Sequence, residues 1–132
     1  MDQGRPGLRV AIVGPCASGK TTLAAGLQQH GYLARQIAQE HSYVPAMWQR
    51  LTRPDALVYL DASYETCTRR KQLDWLPSEH AEQLHRLRHA RQCCDVYINT
   101  DDLTPEQVLT RALAALGGLR GELIKGGGVV VP

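Results

Sequence analysis

Gly14, Gly19, Lys20 and Thr21 stand in the spacing Gly-x-x-x-x-Gly-Lys-Thr, and each residue type suits a different part of phosphate binding. Glycine adopts backbone conformations closed to other residues and lets amide N–H groups come close to an anion. A lysine at this place offers a point charge to the β- and γ-phosphates of a nucleotide. The hydroxyl of Thr21 can ligate Mg²⁺. Pro15, Cys16, Ala17, Ser18 and Thr22 complete the candidate loop, Gly14 to Thr22.

A loop of this kind works when a strand delivers it and a helix starts behind it, because the unpaired N–H groups of a helix N-terminus favour an anion. Both elements are predicted here. Leu8 to Val13 is a short β-branched run of the type buried in parallel sheets. From Lys20 a helix is expected, with Leu23 and Leu27 four apart and Gly31 suited to its C-terminal cap.

Further along, Tyr32 to Ala38 holds a weak strand and Tyr43 to Leu51 a short helix. Ala56 to Asp61 is a clear strand. Ser63 caps a helix reaching about Gln72, and Ser78 caps one from Glu79 to about Cys93, with Leu84, Leu87 and Ala90 as its apolar stripe. Val96 to Asn99 is the next strand. Thr104-Pro105-Glu106-Gln107 carries a capping box with proline at the first helical position, and Val108, Leu109, Ala112, Leu113 and Leu116 form the buried face behind it. Gly117-Gly118 is expected to end that helix. Strands alternating with helices predict an α/β fold, a three-layer α/β/α sandwich on a mostly parallel sheet.

The chain has 132 residues, a length for one domain, read as residues 1–116 with a glycine-rich tail over 117–132. A net charge of +2 gives no basis for nucleic-acid binding. The polar N-terminus lacks the apolar core of a signal peptide, and no apolar run is long enough to span a bilayer, so a cytoplasmic protein without membrane contact is expected. Cys16, Cys67, Cys93 and Cys94 show no Cys-x-x-Cys spacing, which predicts free thiols rather than a zinc site. His85 and His89 are four apart on one helix, but the sequence supplies no third ligand beside them. Trp48 and Trp75 are read as packing or lid residues.

Gly14-Pro15-Cys16-Ala17-Ser18-Gly19-Lys20-Thr21-Thr22-Leu23 resembles the Walker A segment of the P-loop nucleoside- and metabolite-kinase-like proteins. Leu57 to Ser63 followed by Arg69-Arg70 resembles their strand and helix leading to a lid, and Asp95 to Val108 their final strand and last helix. Together these segments span most of residues 8–116. The span between the first helix and Leu57 is short for this family, with room for one strand where two are usual.

The resemblance implies a P-loop fold that binds ATP and Mg²⁺ and transfers the γ-phosphoryl group to a hydroxyl of a small molecule. Lys20 and a lid arginine would then stabilise the transferring charge. Arg69, Arg70, Arg86, Arg88 and Arg91 flank the expected lid, Lys71 to Glu82; Arg70 fits the family spacing best and Arg91 next. Glu40, after the weak second strand, is the candidate acid for the acceptor hydroxyl, with His41 beside it. Asp61 ends an apolar strand, either as a carboxylate serving Mg²⁺ together with Thr21 or as a structural residue. The adenine site is expected at the lid-side helix and the loop Asn99 to Thr104. Two rival readings remain at this point: a nucleotide-binding protein without transferase activity, and an NTPase coupled to a partner. No Asn-Lys-x-Asp sequence for guanine is present.

Overall fold

The computed structural model describes residues 8–72 and 74–124, with side chains to residue 119. Four strands build one parallel sheet: β1 (Arg9–Val13), β2 (Leu33–Gln36), β3 (Ala56–Asp61) and β4 (Val96–Asn99). Their order is β2-β1-β3-β4. Val10 lies opposite Ala34 on one side and Ala56 on the other, and Val58 opposite Val96. The single strand between the first helix and β3 therefore pairs directly with β1.

Six helices connect and cover the sheet: α1 (Lys20–Gln29), α2 (Met47–Thr52), α3 (Tyr64–Lys71), α4 (Pro77–Arg86), α5 (Arg88–Cys93) and α6 (Pro105–Ile124). Because side chains alternate along a strand, the two sheet faces collect different sets. Val10, Ile12, Val58, Leu60, Val96 and Ile98 pack on Leu23 and Leu27 of α1 and on Val108, Ala112 and Leu116 of α6. Ala11, Val13, Leu57 and Tyr59 pack on Trp48 of α2 and on Leu87, Ala90 and Cys94 at α5. Each fully buried Leu or Val of these sets contributes about 1.5–3 kcal/mol of transfer free energy.

Several element ends differ from the sequence reading. The helix expected over Tyr43 to Leu51 is α2, which begins only at Met47. The expected helix from Glu79 to Cys93 is two helices broken at Leu87. The start lies earlier than Ser78: Pro77 opens α4 and the Glu79 carboxylate accepts from the Leu76 amide. At the break, the Leu87 amide is shared between the carbonyls of Gln83 and Leu84. The bend lets Leu87 and Ala90 sit fully buried against β1 and β3 while α4 continues toward the loop after β1. The last helix runs through Gly117-Gly118 to Ile124. Continuous burial of Leu116 and Leu119 carries it past the glycines, so residues 117–124 are helix rather than tail. The remainder of the expected tail lies outside the described residues. Among the described residues, no helix is long and apolar enough to cross a membrane.

The caps at Ser63 and Thr104 agree with their sequence signals. Ser63 Oγ accepts from the Thr66 amide, and Thr104 and Gln107 exchange bonds of 2.8 and 3.1 Å in the capping box of α6.

Candidate functional site at the loop after β1

The sheet delivers the loop at its carboxyl edge. β1 is central, and the chain turns one way to β2 and the other to β3, so the loop opens at the place where open α/β sheets leave a crevice. Gly14 is there for packing: a Cβ would lie 2.2 Å from the Leu60 carbonyl oxygen. Gly19 is there for conformation. Its φ of 104° is left-handed, and a Cβ would meet nothing within 4 Å. Ala17 is also left-handed, with φ of 67°. Such a conformation costs a non-glycine residue about 1–2 kcal/mol, and the Ala17 carbonyl is held by a 3.1 Å bond from the Arg70 guanidinium.

Behind Gly19, α1 begins with no side-chain cap and no acidic residue in its first turn. Its first N–H groups therefore keep the positive end of the helix dipole open to an anion. Ser18, almost wholly buried, has a side-chain oxygen without a hydrogen-bond partner.

Lys20 is buried and turned back on the loop. Its Nζ donates to the carbonyls of Gly14 and Pro15 at 2.9 and 3.1 Å and to Glu40 Oε2 at 3.0 Å. Glu40 sits in a 3-10 turn, Gln39–His41, that follows β2. Gln39 fixes this turn, accepting from the Trp48 amide and donating to the Val44 carbonyl. Glu40 Oε1 is buried and has no hydrogen-bond partner. Arg86 of α4 donates to the Glu40 carbonyl at 3.3 Å and lies over the Tyr43 ring. Glu40 thus touches the lysine itself, where the sequence reading gave it only the acceptor molecule.

Two further groups complete this corner. Cys16 is held by Gln83 of α4, whose oxygen accepts from the Cys16 amide at 3.0 Å and whose nitrogen donates to Sγ at 3.2 Å. His41 Nε2 lies 3.5 Å from Cys16 Sγ and 3.7 Å from Glu40 Oε2.

On the other side of the loop, Thr100 follows β4 and accepts from Arg70 while its hydroxyl reaches the carbonyls of Asp61 and Ser18. A cavity of about 240 Å³ opens beside these residues, lined by Gly19, Thr22, Arg70, Lys71, Thr100 and Val108 among others. Its walls come from α3 and the loop after β4, where the adenine site is expected.

The other expected site residues lie as follows. Thr21 is exposed, and its hydroxyl accepts from Gln36 Nε2 at 2.7 Å, which leaves its proton and one lone pair for another partner. Asp61 accepts from the Tyr97 hydroxyl and from the Ala62 amide, so both its oxygens are engaged in the fold. Thr21 thus fits a hard cation, whereas each Asp61 oxygen already accepts one bond within the fold. Burial, and then the Asp61 carboxylate, push the Tyr97 phenol above its ordinary value. Arg91 rests over the Tyr97 ring at 4.0 Å rather than on the loop. His85 and His89 have separate partners, Arg88 and Trp48. Trp48 is core, and Trp75 stacks on Tyr64 and donates to Thr68 within the expected lid.

The structure therefore brings Lys20, Glu40 and Arg70 to the loop and turns the side chains of Asp61 and Arg91 onto Tyr97. Sequence reasoning missed Gln83 and Gln36, and it held Thr100 only as part of the loop Asn99 to Thr104. Gln83 had no signal, because nothing local marks a glutamine 67 residues away as a partner of Cys16. A scan against models of known protein families matches none of them, and a search of curated proteins finds no similar one.

Proposed function

We propose that the chain is an ATP-binding, Mg²⁺-dependent P-loop phosphotransferase that passes the γ-phosphoryl group to a hydroxyl of a small molecule. The observation that carries the reading is the uncapped, left-handed turn into α1 with Lys20 beside it. In this reading the first amides of α1 and Lys20 bind the phosphates, and Thr21 is the protein ligand to Mg²⁺. The metal supplies charge neutralisation when bound. The adenine occupies the cavity between α3 and the loop after β4. Arg70, already fixed to Ala17 and Thr100, needs little reorganisation to face developing charge.

The acceptor oxygen attacks the γ-phosphorus as the bond to the β–γ bridging oxygen breaks. The acceptor proton goes to Glu40, whose Oε1 is the buried unpartnered oxygen of the corner. For that step the phosphates must take Lys20 from Glu40, exchanging one anionic partner for another.

A second reading, a nucleotide-binding protein without transfer, is favoured by the small middle segment. Only β2, a 3-10 turn and the six-residue α2 stand between α1 and β3. Titration calorimetry with ATP–Mg²⁺ on the unmutated protein and on Lys20→Ala tests nucleotide binding; equal affinities would overturn both readings. A thermal-shift panel of hydroxylic acceptors in saturating ATP then separates them. A ligand at 100 times its Kd adds about 2.7 kcal/mol, so an acceptor pocket would be visible, and its absence together with no turnover leaves the binding protein.

A further inference from the structure

The corner that holds Glu40 contains a second kind of chemistry, which can be tested without a nucleotide. Cys16 Sγ, His41 Nε2 and a carboxylate oxygen of Glu40 all lie within 4.8 Å of one another. We propose that these three side chains form a binding site for a Zn²⁺-class divalent transition metal, with its fourth position open.

Three observations carry this. The first is ligand type. A thiolate, an imidazole and a carboxylate form the mixed soft and hard set that Zn²⁺ accepts, whereas Mg²⁺ and Ca²⁺ take oxygen. The second is spacing. Tetrahedral bonds of about 2.3 Å to sulfur and about 2.0–2.2 Å to nitrogen and oxygen put ligand atoms roughly 3.3–3.6 Å apart. The observed separations are 3.5 Å from sulfur to nitrogen and 3.7 Å from nitrogen to Glu40 Oε2. The remaining separation, from sulfur to the carboxylate, is within 4.8 Å, so the three atoms already face one another. The third observation is spare capacity in the same carboxylate, on the oxygen that Lys20 does not hold. Glu40 is almost wholly buried, Lys20 holds Oε2, and Oε1 has no partner. A buried unpaired carboxylate oxygen costs free energy that a cation there would recover.

The surroundings support the same chemistry. Gln83 donates to Cys16 Sγ and fixes the loop amide of the same residue, which orients the sulfur as an outer hydrogen-bond partner does at metal sites. The His41 side chain is 57% exposed, so the ion has an entry path and the open position faces solvent. Charge also balances. On ligation the thiol releases its proton to solvent. The thiolate and the carboxylate then carry two negative charges against the metal and Lys20, leaving one positive charge for a water-derived hydroxide or another anion at the open position. The sequence reading expected free thiols because no Cys-x-x-Cys spacing is present; the candidate ligands come from two loops brought side by side by the pairing of β1 with β2.

The test uses the full chain without a histidine tag, reduced and stripped of metal. Titration with Co²⁺ should give a thiolate-to-cobalt charge-transfer band and the visible bands of tetrahedral cobalt, saturating at one equivalent and displaced by Zn²⁺. Cys16→Ser should abolish the charge-transfer band. His41→Ala should weaken Co²⁺ binding tenfold or more. Cys93→Ser should change neither, since Cys93 and His89 form a separate pair 3.7 Å apart. On the unmutated protein, Zn²⁺ should slow alkylation of Cys16 by iodoacetamide, read on its peptide by mass spectrometry; this holds whether or not the variants fold. The proposal is overturned by absence of the band, by its survival in Cys16→Ser, by unchanged affinity in His41→Ala, or by unprotected Cys16. None of these readouts involves a nucleotide, so the site stands or falls apart from the phosphotransferase reading.

Discussion

Lys20 Nζ and Glu40 Oε2 form an ion pair 3.0 Å long whose two side chains are 7% and 5% exposed. Twenty residues separate them in sequence, and β2 with the turn behind it brings them together. Removing one partner of a buried pair leaves a desolvated charge and costs about 3–5 kcal/mol. Glu40→Ala is therefore expected to lower unfolding free energy by about 3 kcal/mol, and Lys20→Met/Glu40→Ala by much less. Urea denaturation of the single and double variants checks this; additive losses would show that the pair is not coupled.

The same pair makes a prediction about binding. Glu40→Gln keeps the shape of the side chain and frees Lys20 from its counter-charge. ATP affinity should rise, about tenfold, since 1.4 kcal/mol of competition is a modest share of such a contact. Turnover should fall. A Glu40→Gln protein with weaker ATP binding, measured by calorimetry, would refute the exchange of partners at Lys20.

Arg70 spans from α3 to the Ala17 carbonyl and to Thr100, joining the lid-side helix to the loop. Arg70→Ala should cost about 1–2 kcal/mol of stability, the charged bonds being discounted for partial exposure, and should lower kcat more than ATP affinity. Arg91→Ala, which loses a ring contact with Tyr97, should leave ATP binding unchanged. Equal effects of the two substitutions on turnover and affinity would contradict the separation of the two arginines.

Helix α6 provides a stability test. Gly117 and Gly118 are exposed, lie within the helix, and a Cβ on either meets nothing within 4 Å. Replacing both by Ala should raise unfolding free energy by about 1–2 kcal/mol, from helix propensity alone. A helix ending at Leu116 would give no gain in thermal or urea unfolding.

Acid titrates two carboxylates with opposite sign. Burial tends to raise Asp101, but bonds from the Ser63 amide and the Thr66 and Ser63 side chains, with Arg70 nearby, hold it below the ordinary 3.8. Its ionised form favours the folded state, so its contribution is present above 3.8 and is lost as pH falls through the lower folded value. Burial lifts Asp95 above 3.8 against the Leu57 amide bond. The folded state binds that proton more readily, so Asp95 gains stability as pH falls through its raised value. Asp101→Asn should flatten the acid loss of stability and Asp95→Asn should steepen it, measured as urea midpoints between pH 6 and about 3.

Much of this architecture is legible along the chain because its signals are local. Apolar runs mark β1, β3 and β4, Ser63 and the Thr104–Gln107 box mark two helix starts, and the glycine-lysine loop marks its own place between strand and helix. What is not legible depends on depth. The bend at Leu87 follows from two buried side chains needing the same sheet face, which periodicity reads as one continuous stripe. The helical state of Gly117-Gly118 follows from burial of Leu116 and Leu119, and tertiary packing overrides the local preference of glycine. Asp61 ends an apolar strand as a metal-binding acid does, yet Tyr97, a neighbour only through the β3–β4 register, takes its oxygen. The grouping of Cys16 with His41 and Gln83 has the same non-local origin.

The place of β1 at the centre of the sheet has a consequence for synthesis. The chain makes β1 and its loop before the other strands of the sheet, but β1 acquires its second neighbour only when β3 is complete, with Val10 waiting for Ala56. β3 in turn needs β4 at Val96. During translation at about 5–20 residues per second, an aliphatic strand and its loop exist for seconds with open edges on which any other extended segment could pair. The nascent chain can close this fold only once β4 has been made, so the vulnerable interval is set by the ribosome rather than by the folding step itself.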